Sequence, residues 1–233
     1  MKKQDLLILF FVVIFFFPFF IFKDLYYCYE NINQEFPLLM AFVKFAILAT
    51  FGEMLGLRIR TGKYNIPHFG ILPRAVVWGV LGVWIAIAMG VFKNGVPAYL
   101  GRFQAFSGIT EAMGGGFSCL KLWSAFCISV MMNTTFAPVF MTLHKITDTH
   151  IAQTGGTLIG FFSKKLHFTQ IITSLNWKVQ WNFVFKKTIP LFWIPAHTIT
   201  FILPANLQVL FAALLGVCLG VILSIAAKKH TEK

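Results

Sequence analysis

Long apolar runs constrain this chain more than any other feature. LLILFFVVIFFFPFFIF occupies Leu6–Phe22 and LQVLFAALLGVCLGVILSIAA occupies Leu207–Ala227. Between them lie further runs at about 37–57, 75–92, 123–143 and 188–204. A water-soluble core has no room for six such segments, whereas a bilayer needs roughly 20 apolar residues for each helical crossing. The sequence therefore predicts an all-α, polytopic membrane bundle of five or six transmembrane helices, built as one integral membrane domain over 1–233. The first run follows Lys2 and Lys3 as a signal peptide would, but no small-residue cleavage site follows it. It reads as a retained helix or signal anchor.

Charge placement supports the same reading. Twenty Lys and Arg stand against eight Asp and Glu, and the pI is near 9.8. Such a balance often marks nucleic-acid binding, but here the basic residues sit in the gaps between apolar runs. The partners they imply are the lipid bilayer and its anionic headgroups, with no nucleic acid. With the N-terminus in the cytoplasm and six crossings, 15 basic residues fall on the cytoplasmic side and four on the other, and Lys44 lies within a span. The positive-inside rule then predicts both termini in the cytoplasm of a bacterial-type inner membrane.

Two connectors exceed simple turns. Residues 93–122 are rich in glycine and fall outside. Residues 144–187 are basic and interleaved with aromatic residues. There, FFSKKLHFTQIITSLNWKVQW predicts an amphipathic helix in the interface, with Lys164, Lys165 and Lys178 toward headgroups and Phe161, Phe162, Ile171 and Trp177 toward acyl chains.

Polar groups within spans are costly and become functional candidates. In the second span these are Lys44 and Glu53, about 13 Å apart along one helix and too far to pair. Arg58 or Arg74 is the natural partner for Glu53. The fourth span carries Asn133, Thr134 and Thr135 ahead of Pro138. The fifth carries His197, Thr198 and Thr200 among Pro190, Pro195 and Pro204. Such proline-broken, polar helices line cavities more often than they face lipid. These eight side chains are the expected lining of a pathway. His144, Asp148 and His150 have ligand chemistry, but HKITDTH has no recognised metal spacing and reads as a solvated loop. No metal or other cofactor is expected. GEMLG and GVCLG are small-xxx-small patterns that let helices approach closely and admit a homo-oligomer. Of the cysteines, Cys28 and Cys119 fall on or near the outer side, where a disulfide can persist. No phosphate-binding loop, nucleophile elbow, zincin motif or carboxylate pair is present, so an enzyme is not expected.

MMNTTFAPVFM and FWIPAHTITFILP resemble motifs of the Mpv-seventeen/twenty-two-kilodalton peroxisomal membrane protein family. Phe136, Ala137 and Pro138 match the first motif, with Met132 and Asn133 where the family has an acidic residue and Gln. Trp193, Phe201 and Pro204 match the second, with His197 in place of Gln, Thr200 in place of Asn and Pro195 displaced by one. Gln208 stands at a family Arg. Gly52-Glu53 resembles the start of the first conserved helix, with Leu57 at its Gln, and Arg74 with Gly82 resembles another. The resemblance spans about 40–227, leaves Leu6–Phe22 outside the family's four-helix pattern, and implies a membrane pore or transport role. The expected function is a channel or transporter for small polar solutes. Alternatives are a substrate-capture subunit of a multi-component transporter and, further off, a lipid-acting membrane enzyme.

Overall fold

In the computed structural model, residues 3–231 are described and every regular element among them is helical. Lys2 and Lys233, used in the charge count, lie outside the described residues. The chain divides into two compact units, Met1–Met40 and Ala41–Lys233.

The first unit holds α1 (Lys3–Ile21) and α2 (Lys23–Glu35), which meet at an angle of 89°. α1 is the expected apolar first run. α2 is polar, carrying Asp24, Glu30 and Glu35 among its tyrosines. Phe19 and Tyr29 close the bend edge to face at 5.9 Å.

The second unit is a helix bundle. Its long members are α3 (Pro37–Thr61, within the unit from Ala41), α4 (Ile71–Leu100), α6 (Cys119–Gln153) and α11 (Ala205–Thr231). Among the described residues these four are long and apolar enough to cross a membrane, and the α1–α2 pair makes a fifth if it counts as one broken span. α5 (Ile109–Gly114) lies in the glycine-rich connector. The expected fifth span is found in a continuous rod: a π-helix over Gln180–Trp193 that becomes α10 at Ile194–Ile202. The change of register is visible where the Ile194 N–H donates to the Ile189 carbonyl, five residues back. Neither half of this rod is long enough alone to cross.

α4 and α6 extend well past the apolar runs that predicted them. The HKITDTH segment, expected as a loop, is helical, because its polar side chains find partners on neighbouring helices. The segment expected as one amphipathic helix is instead three short ones, α7 (Leu158–Ser163), α8 (Phe168–Ser174) and α9 (Trp177–Val179). Extended backbone at Lys164 and Leu175 separates them.

The core lies between α3, α4, α6, α10 and α11, where Phe45, Leu48, Ile85, Met89, Ile128, Met132, Phe201 and Ala213 pack together. α3 and α11 approach where both glycines of GEMLG meet residues 217–224, which include the second glycine of GVCLG. A Cβ on Gly52 would stand 2.8 Å from the Val217 Cα, and one on Gly220 would stand 3.2 Å from the Gly52 carbonyl oxygen. All four cysteines are free thiols, so the Cys28–Cys119 bridge allowed by topology is not formed; both are exposed.

Candidate functional site

The structure gathers Glu53 with Arg74, His144 and Asp148 at one end of the bundle. Glu53 stands eight residues before the end of α3, Arg74 in the first turn of α4, and His144 and Asp148 in the last turns of α6. The start of α4 is fixed by a tight meeting of two loops. Gly70, its left-handed N-cap (φ 73°), lies so close to Gly156 that a Cβ on Gly70 would be 2.9 Å from the Gly156 Cα. Gly156 is left-handed too (φ 70°), as is His68 (φ 65°). Glycine removes the Cβ clash that would push the ends of α4 and α6 apart.

Arg74 is then aimed between the helices. Its Nε donates to the Phe69 carbonyl at 2.7 Å, and its guanidinium stacks on the Phe69 ring at 4.5 Å. Its Nη1 donates to both Glu53 Oε2 and Asp148 Oδ1. Glu53 Oε1 accepts from the Trp78 indole at 2.9 Å. The His144 Nε2 lies 3.1 Å from Glu53 Oε1 and 3.6 Å from Asp148 Oδ1. It is buried but not aligned for a hydrogen bond to either. The imidazole stacks on Trp78 with centroids 4.3 Å apart. Side-chain exposures of 11%, 20% and 18% for Arg74, Glu53 and Asp148 make this a mostly desolvated ion-pair network.

Glu53, His144 and Asp148 hold their ligand atoms within 4.8 Å of one another, a separation at which a cation can be shared. Arg74 already supplies a cation to both carboxylates. As arranged, the cluster is a three-helix ion-pair clamp, and one negative charge remains when His144 is neutral.

A second polar centre lies deeper, where α6 meets α10. Asn133 and the His197 Nδ1 are hydrogen-bonded, with Asn133 Nδ2 at 3.0 Å and Oδ1 at 3.2 Å. The Asn133 amide also donates to the Ser129 carbonyl at 2.8 Å, and the Ser129 hydroxyl donates to the Ile194 carbonyl at 2.7 Å, at the π-to-α junction. The Trp193 ring packs beside His197 at 5.2 Å, and its buried indole N–H has no hydrogen-bond partner among the described residues.

The remaining candidates are spread more widely. Thr134 and Thr135 are exposed and bond back to the Val130 and Met131 carbonyls, so they do not share the Asn133 face. Thr198 and Thr200 are buried but bond to their own helix, at Ile194 and Ala196. Lys44 is buried on α3. Arg58, the other candidate partner for Glu53, instead donates to the Gly62 carbonyl and lies over the Tyr64 ring. His150 faces the Phe161 carbonyl at 3.1 Å, away from the cluster. Trp78 was not singled out by the sequence. His144 and Asp148 were, but not their meeting with Glu53. Their i,i+4 spacing, which puts two side chains on one helix face, was the available signal.

An open groove of about 720 Å³ lies beside this end of the bundle, between the loop around Asn65–Pro73 and Gly156–Leu158. No protein-family model, curated protein or solved structure matches the chain.

Proposed function

We propose that the chain is a channel or transporter-like membrane protein for small polar solutes, with the Glu53–Arg74–Asp148 clamp as the charged gate of its pathway. One observation carries this reading: Arg74 joins α3, α4 and α6 through two carboxylates on helices long and apolar enough to cross a membrane. Ionised groups within membrane helices are expensive and are functional candidates by default, and a buried ion pair is weak evidence of a stabilising role.

The resemblance to the Mpv-seventeen/twenty-two-kilodalton family supports the same class. Polar positions inside the resembling segments, including those where this chain departs from the family pattern, find partners in space. Glu53 meets Arg74 and Asn133 meets His197, while the Gln208 amide donates to the Leu203 carbonyl at 2.8 Å, closing the turn before α11. The neutral Asn133–His197 pair would be the second polar station on the pathway. The basic end of the bundle would face the cytoplasm of a bacterial-type inner membrane.

The test is solute flux into liposomes that hold only the purified chain. Flux that changes when Glu53→Gln and Asp148→Asn are introduced together, in folded protein, supports the reading. Folded protein that passes no small polar solute overturns it and favours a capture subunit that needs an energising partner. Orientation is checked with Lys63→Cys, an exposed site, in a chain whose four native cysteines are replaced. Protection from an impermeant thiol reagent in intact cells is the expected result, and labelling from outside would reverse the assignment.

A further inference from the structure

From Thr149 to Thr231 the chain contains no acidic residue, yet this stretch carries Lys164, Lys165, Lys178, Lys186 and Lys187 in or around the three short helices and the start of the π-helix. All five lysines are exposed. Since half of the eight acids fall in residues 1–40, the missing acids leave a region of uncompensated positive charge rather than reflecting a uniformly acid-poor chain.

The structure also sorts the apolar residues of this region into two groups. Phe161 turns inward to pack on His150 at 5.3 Å, and Ile171 is fully buried. Ile159, Phe162, Phe168, Trp177 and Trp181 turn outward, and Ile159 and Phe162 are 82% and 68% exposed. Breaks at Lys164 and Leu175 permit this sorting. A single straight helix could not expose Lys164, Lys165, Trp177 and Lys178 while burying Ile171 and turning Phe161 inward, because Lys164 would fall on the buried face. The Trp177 indole donates to the Ile172 carbonyl at 2.9 Å, and the Lys186 ammonium lies 5.8 Å from the Trp181 ring centre. Both indoles are therefore held where the rod Gln180–Ile202 begins its return through the bundle. Tryptophan and lysine together at that position are the composition of a membrane interface.

We propose that residues 158–187 form a docking surface for an anionic lipid leaflet, in which the five lysines hold phosphate headgroups while Ile159, Phe162, Phe168, Trp177 and Trp181 enter the acyl boundary. The occupant follows from charge complementarity: a polybasic segment joined to exposed aromatic residues gains at an anionic leaflet what it does not gain at a neutral one. Bulk water is a poor alternative for so many large exposed apolar groups outside the long spans. This surface is independent of solute conduction, so failure here leaves the proposed function untouched.

The experiment uses the full chain in bilayers of equal phosphatidylglycerol and phosphatidylcholine, with bromine on the acyl chains of one lipid or the other. Quenching of Trp177 and Trp181 is isolated by subtracting the Trp177→Phe/Trp181→Phe variant. A charge at an anionic leaflet gains roughly fivefold in local preference per lysine. The quench from brominated phosphatidylglycerol is accordingly expected to be at least about twofold that from brominated phosphatidylcholine. Replacing all five lysines by Gln should bring the ratio to one, and replacing them by Arg should keep it. Lys164→Gln/Lys165→Gln alone should lower it part-way, which keeps the test available if the fivefold variant does not fold. Equal quenching in the native chain, or a ratio that survives the Gln substitutions, overturns the proposal. No quenching of these two tryptophans by either lipid also overturns it and points to water or an acidic protein partner at this surface.

Discussion

Arg74→Met is the most informative single change, because it leaves two carboxylates facing each other. In the native chain the guanidinium donates to Glu53 and Asp148 at once, and the three side chains are at most one-fifth exposed. Removing one partner of a buried ion pair costs about 3–5 kcal/mol, since the other charge stays desolvated. The cluster lies near one end of the bundle, so the lower end of that range, about 3 kcal/mol, is expected. Replacing the whole set, Arg74→Met with Glu53→Gln and Asp148→Asn, removes the stranded charges and should fall within about 1 kcal/mol of the native chain. The assay is unfolding by increasing mole fraction of dodecyl sulfate in mild-detergent micelles, followed by far-ultraviolet circular dichroism. Near-ultraviolet signals add a local readout, because the Trp78 indole both donates to Glu53 and stacks on His144. A single variant within about 0.5 kcal/mol of native, or a triple variant as unstable as the single, would refute the reasoning that charge stranding governs this site.

Two further outcomes follow from the packing. Gly52→Leu should destabilise the same unfolding transition by about 1–3 kcal/mol, because its side chain meets the α11 backbone; Gly216→Leu, where nothing lies within 4 Å of an added Cβ, should change it little. Asn133→Leu should cost only about 0.6 kcal/mol, the mean for interhelical hydrogen bonds in membranes, measured in the same titration; a loss several times larger would show that the Ser129–Ile194 junction depends on it.

The bundle was legible in the sequence because apolar length is a strong signal and needs no partner to interpret. Glu53 with Arg74 was half legible: two basic candidates stood near one acid, and only the fold shows that Arg58 turns back to Gly62. His144 and Asp148 were hidden for a different reason. Polar residues at the end of a span look like loop until a charged neighbour on another helix explains why the helix continues. Asn133, Thr134 and Thr135 are consecutive, and consecutive helical residues are about 100° apart, so they could not all face one pathway. The small-xxx-small patterns were each weak when read alone. Their meaning came from Gly52 meeting Val217 and Gly220, a pairing between positions more than 160 residues apart in the chain. The basic connector stands out by composition, but its two breaks could not be placed, since Lys164 and Leu175 carry no helix-breaking chemistry of their own, and Phe161 and Ile171, expected toward acyl chains, turn inward instead.

The two polar centres differ in a way that depth explains. The charged one uses residues within a few turns of helix ends: Glu53 eight before the end of α3, Arg74 fourth in α4 and Asp148 five before the end of α6. There water and headgroups lie close enough to moderate the expense of ionised groups. The inner one uses an amide, a hydroxyl and an imidazole that satisfy one another without formal charge, with the Trp193 N–H still unpaired beside them. Under the proposed function, a solute entering from the basic end meets fixed charges first and neutral hydrogen-bonding groups afterwards. The outer station would then discriminate by charge, while the inner one would serve any hydrogen-bonding solute, charged or neutral. A neutral polyol and an organic anion of similar size separate these roles. Neutralising Glu53 and Asp148 together should alter the ratio of their fluxes, whereas His197→Phe, which keeps a ring beside Trp193 but removes the partner of Asn133, should lower both in proportion. Equal effects of the two changes on the flux ratio would mean that the centres do not act as separate stations.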